Sequence, residues 1–201
     1  MHDLDQLATI FAKFPGIGER QAKRFVYYLL KRDTATLRDL TDRILCLKEI
    51  VQECSRCQRF EELQGSLCTN CIKTKNAPTM IIVEKDSDLD TIKRSDVYQG
   101  SYFVLGGLIP ILDENPEKRV RLIALKNRIV QEGSTLREII IALSFTREGE
   151  YTEEFLRNYL HTHFPDSEIK ITSLGRGLST GTELEYADAE TIKGALENRS
   201  V

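Results

Sequence analysis

Apolar residues along this 201-residue chain follow two rhythms that meet near residue 78. In the first part the spacing is helical. Leu4, Leu7, Ala8 and Phe11 predict a helix over 3–13. Phe14-Pro15-Gly16-Ile17-Gly18 breaks it, and Ala22, Phe25, Val26, Leu29 and Leu30 mark a second helix at about 19–32. Residues 33–35 form a link. Thr36-Leu37-Arg38-Asp39 resembles a capping box with Asp in place of Glu, and opens a third helix carrying Leu37, Leu40, Ile44, Leu47 and Val51.

After Ala77-Pro78 short apolar runs alternate with amphipathic stretches. The runs are 80–83, 102–105, 139–143 and 169–172; the helices between them are predicted at about 88–95, 117–131 and 150–163. Strands buried on both faces and separated by helices imply a mostly parallel sheet. Ligands of such sheets sit at the C-terminal ends of the strands. The residues there are Glu84, then Gly106 and Gly107, then Ser144 to Glu150, then Gly175 to Gly181.

Composition narrows the class. At 41% hydrophobic residues the chain supports one ordinary core and a small satellite. The N-terminus MHDLDQLATIF lacks the charged and apolar regions of a signal peptide, and no apolar run approaches a membrane span. A cytoplasmic protein with reduced thiols is expected. The net charge of −3 is unevenly spread. Residues 1–32 hold six bases against three acids, a net +3, which leaves −6 for the rest. A basic end on an acidic body hints at a polyanion partner there.

Between the two rhythms lie Cys54, Cys57, Cys68 and Cys71, two C-x2-C pairs separated by ten residues. Each pair makes a tight knuckle with two sulfurs on one side, and two knuckles close tetrahedral coordination around one zinc ion. Four thiolates leave no open position, so the site is structural. The metal replaces the core that about twenty residues cannot build. Two disulfides, or a redox C-x-x-C, are the alternatives. The fifth cysteine, Cys46, falls in the third helix as buried filler. Arg56, Arg59, Lys73 and Lys75 lie on or near the knuckles, as surface charge or as phosphate contacts.

Helix, P-G-I-G turn, helix is the pattern of a helix-hairpin-helix. Gly16 and Gly18 permit unusual dihedrals and a close backbone approach. The second helix opens at the turn, so its dipole faces the same point, and a phosphate is the natural guest. Arg20 and Arg24 lie one turn apart beside it. Such a site reads the DNA backbone, not its sequence. The alternative is an αα-hairpin whose glycines only make the turn.

Glu84, Glu148 and Glu150 fall at strand ends, where converging carboxylates hold Mg2+ and assist phosphodiester chemistry. They equally cap helices, pair with bases or face a partner. Gly175-Arg176-Gly177-Leu178-Ser179-Thr180-Gly181 lacks the G-K-[ST] ending of a P-loop. It reads as a structural loop, or one that faces DNA or a subunit through Arg176.

PGIGERQAKRF, the four-cysteine segment, VEKDSDL, YFVLGGLIPILD, TREGEYT and GRGLSTGTELEYAD together resemble, in order and across essentially the whole chain, the RecR family of bacterial recombination proteins. The resemblance implies a multi-domain α and α/β chain: a helix-hairpin-helix over 1–53, a four-cysteine zinc finger over 54–77, a Toprim domain over 78–174, and a C-terminal Gly-rich loop and helical tail over 175–201 used in oligomerisation. It implies no enzymatic activity, binding of double- and single-stranded DNA, work with RecO or RecF, and help in loading RecA onto strands covered by single-strand-binding protein. It also implies a tetrameric ring or a dimer, near the nucleoid. The family's basic hairpin positions match Arg20 and Arg24, its zinc ligands the four cysteines, and its Toprim acids Glu84, Glu148 and Glu150. Glu19 stands where the family often has proline. Ser144-Phe145-Thr146 replaces Asn-Pro-Thr, and Ser179-Thr180-Gly181-Thr182 replaces Pro-Val-Gly-Gly.

A non-catalytic recombination mediator is therefore expected, with structural Zn2+. The rival from another class is a Mg2+-dependent Toprim nuclease. A third reading is a protein adaptor whose DNA contact is incidental.

Overall fold

The computed structural model describes residues 3–175, 177–178, 181 and 183–197. Arg176, Ser179, Thr180 and Thr182 of the glycine-rich loop lie outside the described residues. The chain divides into two compact units, Met1–Val51 and Gln52–Val201.

The first unit is three helices, α1 (Asp3–Phe11), α2 (Glu19–Leu30) and α3 (Thr34–Ile50). Ala8, Ala22 and Val26 are its buried apolar side chains, with Phe11 set edge-on to Phe14 and Phe25 around the turn. α3 starts a turn earlier than the expected capping box. Asp33 is the N-cap, accepting from the Thr36 backbone N–H at 2.9 Å and the Thr36 hydroxyl at 2.7 Å. An acceptor three residues ahead of a free N–H outcompetes Thr36, which serves as donor instead. No residue of α3 is buried, so Cys46 is half-exposed and not the expected core filler.

The second unit begins with the cysteine segment: a two-residue antiparallel ladder of β1 (Gln52–Glu53) and β2 (Phe60–Glu61), then α4 (Thr69–Lys73). The sheet follows. β3 (Thr79–Val83), β4 (Ser101–Val104), β5 (Glu138–Ala142) and β6 (Lys170–Ser173) lie in the order β4-β3-β5-β6, every pair parallel. Alternation sorts the strand residues onto two cores. Met80, Ile82, Phe103, Ile139 and Ile141 pack with Leu122, Leu125 and Ile129 of α6 (Leu122–Glu132) and Leu156 and Leu160 of α7 (Arg147–His163). Ile81, Val83, Tyr102, Val104 and Ala142 pack with Leu89 of α5 (Asp86–Ser95). α8 (Ala189–Glu197) closes the chain, a helical tail as expected.

Two boundaries differ from the periodicity. The helix expected over 117–131 is a 3-10 turn, Pro116–Lys118, then α6 from Leu122; Arg121, with ψ of 53°, interrupts the helical backbone between them. α7 begins at Arg147, so Glu148 and Glu150 stand in its first turn and not in the loop before it. Thr146 caps that turn by accepting from the Gly149 N–H at 3.1 Å. Gly149 itself is required there, because a Cβ would lie 1.8 Å from the Ser144 carbonyl oxygen.

Candidate metal centre and nucleic-acid interface

Cys54, Cys57, Cys68 and Cys71 are all buried and unbridged, and their sulfurs lie within 4.8 Å of one another. Cys57 Sγ and Cys68 Sγ are 3.7 Å apart, too far for a disulfide. A tetrahedral ion with metal–sulfur bonds of about 2.3 Å sets its sulfurs about 3.8 Å apart, so the donor set fits one closed four-coordinate site. The Cys68 N–H points at Cys54 Sγ and the Cys71 N–H at Cys68 Sγ. These backbone donors favour thiolate. Among the described residues, Leu63 and Leu67 are the apolar side chains packed against the cysteines. The segment has almost no apolar core of its own, which is the physical reason it calls for a metal.

The arginines of this segment are not surface charge. Arg56 donates to the Cys71 carbonyl at 2.7 Å and the Lys75 carbonyl at 2.5 Å, and meets Glu132 of α6 at 2.6 Å. Arg128 donates to the same carboxylate and to the Arg56 carbonyl. Arg59 pairs with Asp90 of α5 at 2.6 Å, and Asp86 accepts from the Phe60 N–H. The Val104 N–H at the end of β4 donates to the Cys57 carbonyl at 2.8 Å. Arg121 spans the same corner, from the Val104 carbonyl to Glu53. The cysteine segment is thus bolted to α5, α6 and β4. Sequence spacing could not reveal this, since the partners lie 26 to 76 residues away.

At the C-terminal end of the sheet, Glu84 follows β3 and is mostly buried. Its carboxylate accepts from the Ser144 hydroxyl at 2.6 Å and lies 3.5 Å from the Lys85 ammonium. Gly106, at φ +95°, donates its N–H to the Glu84 carbonyl. Glu148 and Glu150 are exposed on α7. Among the described residues the four cysteines are the one group of three or more His, Cys, Asp or Glu whose ligand atoms gather within 4.8 Å; the three glutamates form no such group.

In the first unit only one hairpin glycine uses the left-handed region. Gly16 has φ +76°, whereas Gly18 is extended (φ −84°, ψ 167°) and serves as the N-cap of α2. Having no side chain, Gly18 leaves the first N–H groups of α2 without a side-chain cap. A Cβ at either glycine would meet nothing within 4 Å, so the surface over the turn is open. Arg20 and Arg24 are exposed beside it, Arg24 donating to Gln21 at 3.3 Å. A helix start with open N–H groups and two flanking guanidinium groups is arranged to receive an anion.

Among the described residues no helix is long and apolar enough to cross a membrane. Residues 4–47 match the family model described as RecR, helix-hairpin-helix; residues 79–174 match the Toprim domain; residues 177–200 match RecR, C-terminal. The chain is 33% identical to the recombination protein RecR of Bacteroides thetaiotaomicron over 98% of its own length and 93% of that protein's. It is 34% identical to the RecR of Chlorobium chlorochromatii, covering 98% and 96%. It is 35% identical to that of Citrifermentans bemidjiense, covering 98% and 95%.

Proposed function

Since the chain belongs to the RecR family of recombination proteins, we propose that it acts in recombinational DNA repair as a non-catalytic, DNA-binding mediator that works with RecO or RecF to help load RecA on single strands. The observation that carries this reading is the open N-terminus of α2 at Gly18, flanked by Arg20 and Arg24. Gly16 and Gly18 bring backbone to a phosphate, and the two arginines add charge. One such hairpin contact is weak. Several copies facing one DNA multiply it, because linked sites raise effective concentration.

The first unit also points to a second copy of the chain. Leu4, Leu7 and Ile10 of α1, and Leu40, Ile44, Leu45, Leu47 and Ile50 of α3, are large apolar side chains left exposed in only three helices. An exposed apolar face of this extent needs a partner, and the dimer or tetrameric ring of the family supplies it. The four cysteines hold one structural Zn2+, the ion whose geometry their sulfurs fit. Glu148 and Glu150, exposed on α7, serve as a partner-facing acidic edge, and Glu84, held by Ser144 and Lys85, supports the strand end beside them instead of completing a Mg2+ site.

The test is the molecular mass in solution, with and without DNA, together with incubation of the protein with end-labelled DNA and Mg2+. The reading expects an oligomer, DNA-bound, with the label uncut. A monomer that leaves DNA unbound overturns it, and turnover abolished by Glu84→Gln would make the protein a nuclease.

A further inference from the structure

α2 presents more to solvent than its arginines. At 100° per residue, Arg20, Arg24, Tyr27 and Lys31 fall within about 60° of one another on the helix. The buried residues Ala22 and Val26, with half-buried Phe25 and Leu29, lie on the opposite side. Tyr27 therefore sits at the solvent pole of an amphipathic helix, 60% exposed, where folding alone asks for a polar side chain. Beside it Tyr28 is 55% exposed, and the Arg32 guanidinium lies 4.1 Å from its ring centre. Arg20, Arg24 and Lys31 have no ion-pair partner among the described residues, and the one acid of α2, Glu19, is outside the stripe. Laying this stripe against the same stripe of another copy would bring three unpaired cations against like charges, which is costly. A polyanion supplies those counter-charges.

Resting on the reading of the hairpin as a phosphate site, we infer that the outer face of α2 is a single-stranded DNA track, with Tyr27 and the Tyr28–Arg32 pair as base-stacking platforms and Lys31 as a second phosphate contact. From Arg20 to Lys31 the stripe runs about 16 Å along the helix, room for a few nucleotides leading away from the hairpin. The phosphate contacts at Gly18, Arg20 and Arg24 serve a duplex and a single strand alike. Only a strand with unpaired bases can lay their faces on tyrosine rings. The tyrosines therefore add preference for the single strand over the duplex.

The experiment is fluorescence anisotropy of the full-length protein with a labelled oligothymidylate, the same strand made abasic, and a duplex. Tyr27→Ala and Tyr28→Ala should each weaken oligothymidylate binding roughly tenfold, as removing one stacked base does, with duplex binding unchanged. Tyr27→Phe should restore it, and the abasic strand should bind wild type and variants equally. Lys31→Ala should lower the salt slope on both DNAs by about one. Circular dichroism and solution mass should stay those of the wild type. Tyrosine variants that bind oligothymidylate like wild type, or that lose duplex and single strand equally, overturn the track while leaving the hairpin site standing. A fall in solution mass with Tyr27→Ala makes the stripe a copy–copy contact and overturns it too. A wild type that binds neither DNA at low salt overturns the hairpin reading beneath it.

Discussion

Arg56 and Glu132 stand 76 residues apart in the chain and meet at 2.6 Å, both nearly buried, with Arg128 on the same carboxylate. One side chain belongs to a cysteine knuckle and the other to the end of α6. The pair makes the cysteine segment part of the α/β body instead of an appendage.

Removing one member strands a buried charge. Glu132→Ala should cost about 3–5 kcal/mol in urea unfolding and speed metal loss to a chelator, whereas the triple change Arg56→Met, Arg128→Met and Glu132→Leu, which leaves no buried charge of the group unpaired, should cost far less. Equal losses for the single and the triple variant would mean that the three charges do not act together.

Arg20 and Arg24 are exposed, so their replacement by Ala should leave the unfolding curve in place. DNA affinity should fall. The dependence of log affinity on log salt should flatten by about 0.9 for each phosphate that the variant no longer neutralises. An unchanged slope would remove both side chains from the DNA surface.

Zinc should be present at one ion per chain. Stripping it should withdraw on the order of 10 kcal/mol of folding free energy from the cysteine segment. Hydrogen exchange is then expected to rise over 52–77 before it rises in β3 or β5. Metal-free protein with wild-type protection over those residues would contradict the site.

The Asp33 carboxyl is held below the usual carboxylate range, chiefly by the Thr36 backbone N–H and then by its hydroxyl. A lowered folded value means that the cap stabilises α3 fully above the unfolded value of about 3.9 and loses that contribution as pH falls through the lower folded value. Asp33→Asn should cap α3 without this dependence. The Thr36 amide resonance, followed through an acid titration, reports the difference.

Features carried by local spacing were legible in the sequence. The four cysteines announce their own geometry, and Met80 to Val83 and Ile139 to Ala142 read as buried strands because both faces of each run are apolar. The positions of Glu84 after β3 and of Arg20 and Arg24 after the turn follow from the same spacing. What was hidden depends on distant partners or on backbone detail. Arg56 and Arg59 look like any exposed bases until Glu132 and Asp90 arrive from α6 and α5. Cys46 looks like core because its helix has an apolar side, yet nothing within the described first unit covers α3. The start of α3 was set by Asp33, whose side chain outranks Thr36 as an acceptor. The break at Arg121 lies in one ψ angle, which no apolar period encodes.

The hydrogen bond from the Val104 N–H to the Cys57 carbonyl has a cost when the ion is missing. β4 is an edge strand of its sheet, and the knuckle takes up the Val104 N–H on its free side. A collapsed knuckle would leave the Val104 N–H of an apolar edge strand unmet, a place for a neighbouring chain to pair. Loss of the metal that the four cysteines can hold should then show as insoluble protein before it shows as lost repair.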